Sequence, residues 1–125
     1  MLKELLKIQN TFHGFSYSKA FLKAVELNLV DLDIWYIMDD KQVLHRMDGL
    51  QKRYPKRNLV PFARREDNDD VACFETGGGG KVLIIHDYAN EGWEQRKEFS
   101  DFWSWFESAV EDMIAYRREE EQNEF

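Results

Sequence analysis

The stretch Asn58 to Asp87, NLVPFARREDNDDVACFETGGGGKVLIIHD, constrains this chain more than any other part of it. It holds three apolar runs: Leu59-Val60-Pro61-Phe62-Ala63, Val71-Ala72-Cys73-Phe74 and Val82-Leu83-Ile84-Ile85. Each has the length of a strand and is apolar on both faces of a period-two reading, which predicts strands covered on both sides. The connections are a carboxylate-rich run and four glycines. Both are too short for a parallel crossover, so neighbouring strands must be antiparallel. Pro61 cannot donate to a ladder, so its strand lies at an edge or carries a bulge there.

The flanks supply the cover. Leu2, Leu5, Leu6 and Gln9 recur at helical spacing and predict a short amphipathic helix over residues 2–9. Ser16 or Ser18 caps a second helix with the face Phe21, Leu22, Val25 and Leu29, and Asn28 is its stop. Trp35-Tyr36-Ile37-Met38 reads as a further strand. Asp39-Asp40 then caps a helix through Val43, Leu44, Met47, Leu50 and Tyr54 that ends before Pro55. A polar loop is expected from Tyr88 to Lys97, followed by a final helix from near Ser100. Its apolar stripe is Phe99, Phe102, Trp103, Phe106, Val110, Met113 and Ile114, with Trp105 and Tyr116 to one side. The glutamate-rich tail from about residue 117 is expected to fray. The expected fold is a single α+β domain over residues 1–125. It has a central antiparallel sheet of about four or more strands, with N-terminal helices and a long C-terminal amphipathic helix packed on it.

Several function classes are disfavoured. A net charge of −7 opposes nonspecific binding to nucleic acid, which needs cations to neutralise phosphates. No stretch is long and apolar enough to span a bilayer. MLKELLKIQNTF lacks the uninterrupted apolar segment of a signal peptide, so a cytoplasmic location is the default expectation. Cys73, the single cysteine, allows no internal disulfide and reads as a buried, inert thiol. The cations Lys52, Arg53, Lys56 and Arg57 are expected to stay solvated at a helix end.

Four features bear on chemistry. Gly77 to Gly80 join two strands, and Lys81 is followed by Val82 with no hydroxyl, so they form a turn and not a phosphate loop. Glu66-Asp67-Asn68-Asp69-Asp70 lacks the glycine and distal glutamate of a calcium loop and reads as a turn or an acidic docking patch. His86-Asp87 has no nucleophile nearby in sequence to complete a triad. Trp93, Trp105 and Tyr116 divide between core packing and an interface. No catalytic residue, cofactor or metal ligand is assigned.

The run YPKRNLVPFARREDNDDVACFE, a glycine turn, KVLIIHDYA and an FxxFWxWF helix resemble the SUKH superfamily of fungal cell-wall-assembly regulators and small bacterial proteins. The resemblance covers about Tyr54 to Met113, with Asn68-Asp69-Asp70 in place of the usual glycine-aspartate turn. It implies an α+β domain without a catalytic motif; many bacterial members are thought to be immunity proteins against polymorphic or contact-dependent toxins. The leading expectation is a protein-binding domain that neutralises a basic toxin, such as a nuclease. Asp67, Asp69, Asp70 and Asp87 would offer an acidic surface, and Tyr88 and Trp93 would be its anchors. The alternatives are a regulatory scaffold that binds a host protein and a metal-dependent hydrolase built on the Asp67–Asp70 turn with His86 and Asp87.

Overall fold

A computed structural model describes residues 1–123, and within them the three runs form the middle of a five-stranded sheet. The elements in order are α1 (Leu2–Thr11), α2 (Lys19–Glu26), β1 (Trp35–Ile37), α3 (Asp40–Arg53) and β2 (Leu59–Arg65). Then follow β3 (Asp70–Glu75), β4 (Val82–His86), β5 (Gln95–Phe99) and α4 (Phe102–Gln122). The strands lie in sequence order, β1-β2-β3-β4-β5, and every pairing is antiparallel.

Local chemistry sets the helix starts. The Ser18 hydroxyl accepts from the Phe21 N–H at 3.2 Å. Asp39 forms a reciprocal capping box with Gln42, at 2.9 and 3.0 Å. Asp101 accepts from Ser104 N–H at 2.8 Å, so α4 begins just past Ser100. Asn28, at φ 60°, takes the left-handed conformation that stops α2.

Two pairings of the sheet, β2–β3 and β4–β5, each contain a bulge. Pro61 pairs with Cys73 and Ala63 with Ala72, so Phe62 is the extra residue on β2. This is how an interior strand tolerates Pro61. On the far side Ile85 pairs with Gln95 and Ile84 with Lys97, so Arg96 is the extra residue on β5.

The three central strands are buried on both faces, as the apolar runs require. On one face Phe62 stacks on Phe74, with ring centroids 4.6 Å apart, and both meet Phe21 of α2. Phe102 and Trp105 of α4 close over Phe62. Cys73 alternates with Phe74 and lies toward α3, within the field of Asp87, Arg57 and Arg46. Burial pushes its thiol far above the ordinary range and keeps it inert.

Two expectations change. The loop from Tyr88 to Lys97 is shorter than its polarity suggested, because Gln95–Phe99 pairs with β4. An exposed edge strand needs only its backbone to pair, and charges on it discourage further strand addition. The face of α4 is also rotated. Phe102, Trp105 and Ala109 are buried, whereas Trp103 and Ile114 are exposed. Residues 117–122 continue α4 with exposed side chains, and the last two residues of the acidic tail lie outside the described residues.

Candidate functional site

The β2–β3 turn and the β4–β5 loop share one end of the sheet, and the glycine turn lies at the other. Gly77, Gly79 and Gly80 all have positive φ, which suits glycine in that reversal. The Asp69 carbonyl accepts from the Asp87 N–H at 3.0 Å, which joins turn and loop. The His86 N–H donates to the Glu94 carbonyl at 2.7 Å and closes the loop at its base.

Two buried carboxylates bracket this loop. Asp87 is 0 % exposed and Glu94 6 %, and they are the buried charged residues among those described. Arg53 donates from Nε to Asp87 Oδ1 at 2.6 Å and from Nη2 to Oδ2 at 2.7 Å. Arg46, two helical turns earlier on the same face of α3, donates to Oδ2 at 2.9 Å. The Tyr88 N–H adds a fourth donor at 2.9 Å. Burial alone would raise the Asp87 pKa, but the Arg53 and Arg46 hydrogen bonds outweigh it and hold the carboxyl below the ordinary range.

Glu94 is held in the same manner. Its Oε2 accepts from Arg57 Nη1 at 2.9 Å, and Oε1 accepts from the Gly92 N–H at 2.6 Å. Arg57 also grips Glu75 on β3, at 3.0 and 3.2 Å, and the Gln95 side chain at 2.7 Å. The Tyr54 hydroxyl donates to the Ala89 carbonyl at 2.7 Å. The loop is therefore tied to α3, β3 and β5 by side chains from outside it.

Between these anchors the loop displays its aromatic residues. Trp93 is 76 % exposed and Tyr88 63 %, the highest values among the exposed large apolar side chains. Tyr88 sits at φ 71° with the Arg53 guanidinium 4.1 Å from its ring centroid.

The acidic turn is less of a surface than its composition suggested. Asp87 belongs to the interior clamp, because two arginines of α3 draw it inward. Asp67 pairs with Arg65 at 2.6 Å, and Asp70 with His86 Nδ1 at 2.8 Å. Asp69 stays exposed. The Asn68 side chain accepts from the Asp70 N–H at 2.8 Å, an Asx turn that accounts for the residue types without a ligand. Among the described residues no group of three or more His, Cys, Asp or Glu side chains converges as a metal site.

The basic cluster also divides differently from the expectation. Lys52 stays exposed, whereas Arg53 and Arg57 are half-buried clamps. Sequence reading passed over Arg46 and Glu94 and left Arg53 and Arg57 solvated. One available signal was the use of arginine, which forks onto carboxylates, at positions 46 and 53 on one helix face.

No family model matches the chain, and no curated protein or solved structure matches it at a significant level.

Proposed function

We propose that this protein is a protein-binding domain whose contact surface is the β4–β5 loop with the adjoining acidic turn. The observation that carries this reading is the pairing of two mostly exposed aromatic side chains with two buried carboxylate anchors on one short loop. An aromatic exposed to water gains most from burial against a partner. A backbone already fixed by Asp87 and Glu94 loses little further freedom on binding, so more of that gain remains as affinity.

Within this reading the protein is an immunity protein that binds a basic toxin and blocks it. The resemblance of Tyr54 to Met113 to the SUKH superfamily supports that role, as does the net charge of −7. The test is protection of a sensitive host by co-expression with a toxin encoded in a neighbouring gene. Wild-type protein is expected to restore growth, and a Tyr88→Ala/Trp93→Ala double variant to lose protection while melting like wild type. Undiminished protection by the double variant would reject the loop as the contact surface. Failure of wild type to protect would reject the immunity role.

A further inference from the structure

On the face of the sheet opposite the Asp87 clamp, a half-open cavity of about 150 Å³ lies between the sheet and α4. Its floor is apolar: Trp35, Ile84 and Trp105, with the two indoles edge to face at 5.6 Å. Its mouth is charged, with three cations, Arg65, Arg96 and Lys97, and the carboxylate of Asp112 of α4 among them. Arg65 is already committed to Asp67 and Asp112, and Asp70, also at the mouth, to His86. Arg96 and Lys97 have no carboxylate partner among the described residues, in a chain whose overall charge is strongly negative.

The bulge on β5 explains how those two cations come together. Neighbouring residues on a regular strand point to opposite faces. Arg96 is the extra residue, and the bulge brings it to the same opening as Lys97. Bulges at sheet edges commonly re-aim a side chain in this way.

We propose that this cavity is a binding site for a small aromatic carboxylate. A cavity of about this volume, with an apolar floor, has room for a single six-membered ring. The ring would lie against Trp35, Ile84 and Trp105, and its carboxylate would meet the Arg96 guanidinium and the Lys97 ammonium at the mouth. Ser108 of α4 lines the opening, and its small side chain keeps it clear. This site is independent of the protein-binding surface and stands whether or not that reading holds.

The full chain is titrated calorimetrically with benzoate, benzyl alcohol and acetate, while tryptophan fluorescence reports on Trp35 and Trp105. Benzoate is expected to saturate with Kd on the order of 1 mM. Benzyl alcohol, which keeps the ring, and acetate, which keeps the charge, are each expected to bind about 10-fold more weakly or worse. Arg96→Gln lies on an exposed strand, keeps the fold and is expected to weaken benzoate by about 10-fold. Ser108→Leu, with an unchanged melting curve, is expected to abolish binding. Lack of saturation by about 10 mM benzoate overturns the proposal. So does equal affinity for benzyl alcohol, or undiminished affinity in Arg96→Gln.

Discussion

A carboxylate withdrawn from water persists only where donors replace its hydration, and Asp87 has four such donors. Asp87→Ala leaves the Arg46 and Arg53 guanidinium groups facing a partly buried void. The expected loss is about 3–5 kcal/mol in urea unfolding, and a loss under about 1 kcal/mol would contradict the clamp. The pH dependence follows from the direction of the shift. The folded pKa is held below the unfolded one, so the stabilisation is complete above the ordinary aspartate pKa of about 3.9. It disappears as pH falls through the lower folded value. The stability gap between wild type and Asp87→Asn is therefore expected to be constant from about pH 5 to 7 and to narrow below about pH 4. A gap that narrows near neutrality would assign the interaction to a different group. The sequence displayed His86-Asp87 as adjacent, yet adjacency does not give direction. Asp87 reaches arginines 34 and 41 residues upstream, while His86 turns to Asp70. Nothing local in the chain encodes those partners.

At the scale of elements, strands and helix caps were readable because their determinants are local. The apolar runs, the Asp39 box and the left-handed Asn28 each follow from a few neighbouring residues. The rotation of α4 was not readable, because the sheet decides it. A stripe drawn through the largest side chains includes Trp103 and Ile114. The buried arc instead runs through Phe102, Trp105 and Ala109, roughly a quarter of a turn away. Trp105 fits there against Trp35 and Phe62, and Ala109 lets the helix approach. The two tryptophans therefore separate cleanly by experiment. Trp105→Ala is expected to lose about 3–5 kcal/mol, the usual cost of removing a buried large aromatic. Trp103→Ala, at 43 % exposure beside Phe106, is expected to lose no more than about 1 kcal/mol. Thermal melts of the two variants decide the matter, and equal losses would restore the sequence-drawn stripe. β5 was missed for the opposite reason, since its polar side chains carry no pattern and its backbone alone makes the pairing.

For the whole molecule, 24 acidic against 17 basic residues set a negative field that favours a basic partner at long range. Proximity to the site does not make every carboxylate there contribute equally. Asp67, Asp70 and Asp87 are each compensated by a partner, while Asp69 and Glu91 are exposed and have no cationic partner among the described residues. Steering should therefore come from Asp69, Glu91 and the general charge. The aromatic anchors Tyr88 and Trp93 should act after encounter and govern dissociation. For the toxin binding proposed above, stopped-flow association with a basic toxin separates these roles. The wild-type on-rate is expected to fall at least about 10-fold between low salt and about 0.5 M, as the screening length shrinks to a few ångströms. Asp69→Asn/Glu91→Gln is expected to lower the low-salt on-rate several-fold and to leave the high-salt rate and the off-rate unchanged. Trp93→Ala should do the reverse, speeding dissociation with little change in association. An on-rate indifferent to salt would remove electrostatic steering from the mechanism, leaving the clamped aromatic loop to act through contact alone.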